Sequence, residues 1–518
     1  MREEYVLAID CGTQSVRALV FDRDGNLIVK EKVEFEPYFS HNPGWAEQDP
    51  ELYWRSACYA IKKIKEEQPD IFKRVIGVSV TTQRDTGVFV DKEGNVLRPA
   101  IIWLDQRMAK CSEPLSMLDN LMFSTVGMQK TIGLVRKKSK ANWVKENQPD
   151  IWKKTYKYLH VSGYFTFKLT GMMVDSTANQ VGHIPYDYKN KCWPKSNKNY
   201  RWNVFGLDRD KLPELVEPGK IIGAITAKAA EETGLREGLP FVTSGSDKSC
   251  ETLGVGCLDE TSASISFGTT ATIQTTTGKY YEPIQFFPSY TAVIPGRYNP
   301  EIEINRGYWM ISWFKKEFSS REVLEAKERN IPPEELLNEL LSDIPPGSHG
   351  LMLQPYWGAA HKLPEAKGAI LGFGDVHTRA HIYRSIIEGI NYALLDGAEK
   401  IERKSRKKIQ RIMLSGGGSQ SDTICQITAD MFNRPVYKGI TYEASGLGAA
   451  ISCMVGLGSY KSYEEAVKGM VRYSKEFTPD SSNAEIYAQL YNRVYTKIYS
   501  KIRGLYKEIQ DITKYPEY

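Results

Sequence analysis

Ile9-Asp10-Cys11-Gly12-Thr13-Gln14-Ser15 decides the reading of this chain, because Ile265-Ser266-Phe267-Gly268-Thr269-Thr270-Ala271 repeats its pattern about half of the 518 residues later. β-Rich sequence flanks each loop: 5–9 and 16–21 around the first, 262–266 and 270–275 around the second. Glycine lets backbone N–H groups approach an anion closely, and the adjacent threonine adds a hydroxyl donor. A tight hairpin is the plainer reading of either loop alone. Repeated at half-chain spacing, the loops predict two domains of like architecture that hold one polyphosphate between them.

The rest of the N-terminal half fits that plan. Strands are predicted at 5–9, 16–21 and 27–35, with Asp24-Gly25-Asn26 supplying the turn between the last two. Pro50 opens a helix whose apolar residues Trp54, Ala57, Ile61 and Ile64 recur at helical spacing, and a strand follows at 75–81. The order βββαβ suits a mixed sheet with helices packed on it. In the second half, a strand at 409–414 runs into Ser415-Gly416-Gly417-Gly418, and Asp422 reads as the N-cap of the next helix. Another helix is predicted from Glu443-Ala444-Ser445-Gly446-Leu447-Gly448, whose small residues permit close packing. A short helix over 249–254 precedes the division into an N-terminal unit, 1–256, and a C-terminal unit, 257–518.

Composition narrows the class. Charged residues are 25% and hydrophobic residues 41%, an ordinary globular balance, and the net charge of +5 does not call for nucleic acid. The basic run Lys400 to Arg411 reads as a solvated helix end. No stretch reaches the roughly 20 apolar residues of a membrane span, so no membrane partner is expected. Met1-Arg2-Glu3-Glu4 runs straight into a strand without a leader-type apolar core. Eight scattered cysteines with no C-x-x-C pair predict free thiols and a cytoplasmic protein. A Walker A sequence is absent.

In order along the chain, four further segments stand out: Pro43-Gly44-Trp45-Ala46-Glu47-Gln48-Asp49-Pro50, Trp103-Leu104-Asp105-Gln106-Arg107, Ser244-Gly245-Ser246-Asp247, and Gly368 through Gly372 to Glu388. Together with Asp10-Cys11-Gly12-Thr13-Gln14-Ser15, they resemble the FGGY carbohydrate kinases, whose motifs D-x-G-T-x-S, PGW-x-EQDP and W-x-D-x-R they match along essentially the whole length. Phe373 departs from the signature, which usually carries an aliphatic residue there. The resemblance implies an α/β fold of duplicated actin-like (ribonuclease H-like) domains with a nucleotide cleft between them, and ATP and Mg²⁺ as cofactors. It puts Asp10 beside the metal. Gly12, Thr13, Gln14 and Arg17 then face the phosphates with Gly268 and Thr269, while Gly416, Gly417, Gly418 and Asp422 serve the adenosine. Asp247 matches the catalytic aspartate that takes a proton from the attacking hydroxyl.

The acceptor is less defined. Gln83-Arg84-Asp85-Thr86 resembles glycerol kinase's N-Q-R-E-T, with Asp85 one methylene shorter than the usual glutamate. Trp103, Asp105 and Lys248 complete the expected substrate set, and the region near Val135-Arg136-Lys137-Lys138 lacks the tyrosine that contacts glycerol. Lys248 follows the catalytic position directly; a solvated lysine is the plainer reading, and the alternative is a bias toward an acceptor carrying negative charge or an extra carbonyl oxygen next to the reactive hydroxyl. The implied activity is phosphorylation of a ketose, a polyol or an aldonate. A sugar-responsive ATPase switch or regulator on the same fold is the competing class, and a homodimer is left open.

Overall fold

A computed structural model describes residues 4–112, 114–357 and 365–515. Met1 to Glu3, where the expectation of no leader begins, lie outside the described residues. Strands β1 (Tyr5–Cys11), β2 (Ser15–Asp22) and β3 (Leu27–Glu34) form an antiparallel meander. Every residue of β1 is buried, whereas β3 alternates half-buried and exposed positions through Lys30, Glu31 and Lys32. Those charges blunt the sheet edge. Helix α1 (Pro50–Glu67) starts at the predicted proline, with Asp49 accepting from the Glu51 N–H, and buries Trp54, Ala57, Ile61 and Ile64. Strand β4 (Val75–Thr82) then pairs parallel with β1. β5 (Ile221–Ala224) and β6 (Pro240–Val242) complete a sheet of order β5-β6-β4-β1-β2-β3. Helix α2 (Asp247–Gly254) leads into the second half.

The second sheet repeats the first. Strands β7 (Ser262–Phe267), β8 (Ala271–Gln274) and β9 (Glu301–Ile304) form its meander. After helix α3 (Arg379–Ser405), β10 (Arg411–Ser415) pairs parallel with β7 as β4 does with β1. Helix α4 (Asp422–Phe432), β11 (Val436–Gly439), helix α5 (Ala444–Gly456) and β12 (Tyr473–Phe477) follow, for an order β9-β8-β7-β10-β11-β12. Both sheets therefore share three antiparallel strands, two parallel strands and an antiparallel edge. The edge strand differs only in when the chain reaches it.

Helix α5 belongs in sequence to the second half but covers the first sheet: Leu447, Ile451 and Met454 share one core with Val6, Ala8, Leu19 and Phe21. Its packing on α2 is backbone-close. A Cβ on Gly448 would stand 1.9 Å from the Cys250 carbonyl oxygen, and one on Gly254 would stand 2.0 Å from that of Ala444. The small residues read in the sequence are required here by sterics. Two helix starts need correction. Helix α2 begins at Asp247 rather than 249, and helix α4 is capped by Ser421, which accepts from the Ile424 N–H, so Asp422 is the first helical residue.

Candidate active site

Each Gly-Thr loop joins the first two strands of its sheet. In the first, the Gly12 N–H donates to the Ser15 carbonyl at 3.0 Å, which closes the turn. Thr13 is fixed from several sides: its hydroxyl donates to Gln83 Oε1 at 2.9 Å, Trp103 Nε1 donates to that hydroxyl at 2.9 Å, and Gln48 Nε2 donates to its carbonyl at 2.7 Å. Gln83 is buried and also donates to the Tyr53 hydroxyl at 3.2 Å. It therefore buttresses the first Gly-Thr loop, whereas the sequence places it with the acceptor segment. Gln14 is exposed and lines the cleft with Gly12, Thr13 and Thr269, around a space of about 560 Å³.

Asp10 is next to last in β1, buried beneath the loop, with Arg17 Nη1 at 2.9 Å. Burial pushes its carboxyl up to about 6 against the pull of Arg17, and the charges of Glu443 and Asp247 add to the rise. Arg17 also reaches Glu443 at 3.6 Å. Glu443 stands just ahead of α5, and nothing local in the sequence ties it to a strand over 400 residues away.

Asp247 opens α2, and its side chain is 31% exposed. Burial raises its pKa, opposed by the charges of Arg84 and Lys248, and its Oδ1 accepts from the Lys248 N–H at 2.7 Å. Lys248, the second residue of α2, is paired rather than solvated. Its ammonium donates to Glu251 and to Ser266 Oγ, both at 2.7 Å, so it is directed at β7 and the second Gly-Thr loop rather than at the Gln83–Asp85 segment.

Arg84 forms a two-pronged pair with Glu301 of β9 at 2.9 and 3.0 Å, stacks over Tyr290, and brings Nε to 4.0 Å from Asp247. Asp85 adopts a left-handed backbone, φ 46°. Lys140 at 2.6 Å and His183 at 2.9 Å hold it, and despite burial these partners keep its carboxyl well below the usual range. Glu301, Lys140 and His183 carry no motif and went unseen in the sequence.

Asp105, expected at the acceptor, is engaged within the protein. It is 2% exposed, and its oxygens accept from the Ala46 N–H and from Arg107, so it shapes the Trp103 turn and has no oxygen left for substrate. Trp103 itself is 38% exposed and faces the cleft. On the nucleotide side, Gly416 takes φ 77° and ψ 175°, and a Cβ there would stand 2.8 Å from the Phe267 backbone. A Cβ on Gly418 would meet the Tyr308 ring at 2.3 Å, whereas Gly417 faces open space. Both oxygens of Asp422 pair with lysines, Lys438 at 2.9 Å and Lys475 at 2.7 Å, so the carboxylate ties α4 to β11 and β12. Its expected nucleotide contact would have to displace one of them.

The chain with these duplicated sheets matches known proteins over most of its length. The model of the FGGY carbohydrate kinases' N-terminal domain matches residues 5–254, and that of the C-terminal domain matches residues 263–457. The chain belongs to the FGGY family of carbohydrate kinases. It is 30% identical over 489 residues to the uncharacterized sugar kinase YgcE of Escherichia coli K12, covering 94% of this chain and 92% of that protein. To the xylulose kinase of Lactococcus lactis it is 29% identical over 493 residues, covering 93% and 94%. Among solved structures, the xylulose kinase of Rhodospirillum rubrum superposes with a TM-score of 0.83 at 24% identity, covering 97% of this chain and 100% of that one. The gluconate kinase of Lactobacillus acidophilus gives 0.82 at 21% identity, covering 98% and 99%. As an FGGY kinase the protein has the two-domain actin-like fold, phosphorylates a small sugar-type substrate and uses ATP. Among the described residues, no helix is long and apolar enough to cross a membrane.

Proposed function

We propose that this FGGY kinase transfers the γ-phosphoryl group of ATP, with Mg²⁺, to a hydroxyl of a small open-chain acceptor, with Asp247 as the base. The position of Asp247 carries the reading. It is the carboxylate at the junction of the acceptor segment, through Arg84, and the second phosphate loop, through the neighbouring Lys248. Phosphoryl transfer depends mainly on positioning and charge neutralisation, with one carboxylate aiming the nucleophile and taking its proton. A raised pKa makes Asp247 a stronger base once ionised.

The residues fit Mg²⁺. The described residues hold no group of three or more His, Cys, Asp or Glu side chains suited to a metal ion, but Mg²⁺ commonly takes one or two carboxylates and completes its shell with phosphate oxygens and water. Asp10, a hard oxygen donor under the first loop, suits that role. When bound, the ion would neutralise phosphate charge. Arg17 orients Asp10, the two loops hold the phosphates, and the glycines at 416 and 417 admit the adenosine.

For the acceptor, the charge around Asp85 favours an acid such as an aldonate over a neutral ketose or polyol. Lys138, at the end of one helix, and Lys140, at the start of the next, both act on the Asp85 charge. Lys140 is spent on Asp85, whereas Lys138 has no hydrogen-bond or ion-pair partner among the described residues. A cytoplasmic setting agrees with ATP use and with eight free cysteines.

Purified protein with ATP and Mg²⁺ should turn over only when an acceptor is added, and a panel of gluconate, xylulose and glycerol tests the class. Gluconate is expected to give the highest kcat/KM. ATP hydrolysis indifferent to every acceptor would replace this reading with an ATPase switch.

A further inference from the structure

We infer that Arg306 is a second-domain cation that contacts the γ-phosphoryl group during transfer. The inference rests on the kinase reading and on three observations at one turn.

The first is charge. Two cations, Arg17 and Arg306, line the cleft between the Gly-Thr loops. Arg17 is neutralised by Asp10 and Glu443. Nearby, Lys248 is neutralised by Glu251 and Arg84 by Glu301. Arg306 has no carboxylate within ion-pair distance among the described residues; its guanidinium lies 5.0 Å from the centre of the Trp309 ring. A planar cation on an aromatic face keeps its N–H edge free for an oxyanion.

The second is attachment. The turn that carries Arg306 is bonded to the second phosphate loop: the Tyr308 N–H donates to the Gly268 carbonyl at 3.2 Å and the Trp309 N–H to that of Thr269 at 3.4 Å. Gly307 lies flush against β8, where a Cβ would stand 2.6 Å from the Ala271 nitrogen. Arg306 therefore moves with the loop that grips the phosphates.

The third is backbone strain. Arg306 sits at φ 62°, in the left-handed region where glycine is the unstrained choice. Strained non-glycine residues cluster at functional sites, where the side chain outweighs the strain.

In the transfer, the acceptor oxygen–phosphorus bond forms as the bond from phosphorus to the bridging oxygen of ADP breaks, and the acceptor proton passes to Asp247. Charge on the transferring group then spreads over its equatorial oxygens, which a guanidinium stabilises. Arg306 reaches that group from the second domain, opposite Asp247.

The test compares wild type with Arg306→Gly, Arg306→Met and Arg306→Lys by calorimetric binding of AMP-PNP and of ADP with Mg²⁺, together with melting temperature and turnover. Arg306→Gly relieves the backbone and so keeps or raises the melting temperature even if Arg306→Met folds poorly. Expected is a loss of about tenfold or more in AMP-PNP affinity with ADP affinity unchanged for the glycine variant, and a partial recovery for lysine. Turnover should fall by about 10²-fold or more. Equal weakening of AMP-PNP and ADP, or no weakening of either, would overturn the inference. Wild-type protein that binds neither nucleotide would remove the kinase reading and this inference with it.

Discussion

Arg84 and Glu301 join the two halves of the chain through one guanidinium, with Nη–Oε distances of 2.9 and 3.0 Å, and the same guanidinium places Nε 4.0 Å from Asp247. The residue that bridges the halves thus also adds to the field at the proposed base. Arg84 has 17% of its side chain exposed and Glu301 has 2%, so solvent screens the pair little.

Glu301→Gln should separate these two roles. The amide keeps the shape but leaves Arg84 without its counter-charge, which should cost about 2 kcal/mol and lower the melting temperature. Freed from Glu301, Arg84 acts more strongly on Asp247 and lowers its pKa. The acid limb of the kcat/KM profile should therefore move to lower pH. Unchanged melting together with an unchanged profile would mean that the pair does not form in solution.

Asp247→Asn should lose acceptor-dependent turnover by about 10² to 10⁴-fold, because the amide cannot take the proton. Nucleotide binding should survive, since both loops are intact. The variant should also be at least as stable as wild type at neutral pH. A carboxyl whose folded pKa is raised favours folding while protonated, and that contribution is lost as pH rises through the folded value. The amide never ionises and avoids the loss. Retention of more than about a tenth of wild-type turnover would mean that Asp247 is not the base.

Much of this was legible in the sequence wherever local pattern and physical requirement coincide. The β1 loop and the proline start of α1 are each set by neighbours within a few positions, and the small residues of α5 signal close packing without naming α2 as the partner. The acceptor side was less legible because its partners are remote: Arg84 meets Glu301, and Asp85 meets Lys140 and His183. Gln83 and Asp105 sit inside good motifs yet spend their hydrogen bonds on Thr13, Ala46 and Arg107. Motif position showed that these residues matter without showing which atoms they face. Helix α5 adds a further limit, since its apolar face does not say which sheet it covers.

Lys248→Met should shift the acid limb upward. With Asp247 as the proposed base, activity requires its ionised form and falls as pH drops through that residue's pKa. Burial already holds this pKa above the ordinary carboxylate value of about 4, and Lys248 works against the rise. Without the lysine charge the limb should move to higher pH. Binding of ADP should weaken less than binding of AMP-PNP, because the ammonium points at Ser266 before the second loop. A limb that stays in place would show that Lys248 does not act on the base.

Gly416→Ala and Gly417→Ala should fail in different ways. At Gly416, φ 77° with ψ 175° is a conformation almost confined to glycine, and a Cβ would press on the Phe267 backbone at 2.8 Å. Strain of this kind costs about 1–3 kcal/mol before any clash, enough to lower the melting temperature by several degrees. At Gly417 a Cβ meets nothing within 4 Å, so stability should stay within about 0.5 kcal/mol of wild type. That open space is where the proposed adenosine approaches, so the extra methyl should instead weaken ADP binding. Thermal melts and ADP titrations on the two variants separate the effects. If Gly417→Ala binds ADP like wild type, the adenosine does not lie against this turn.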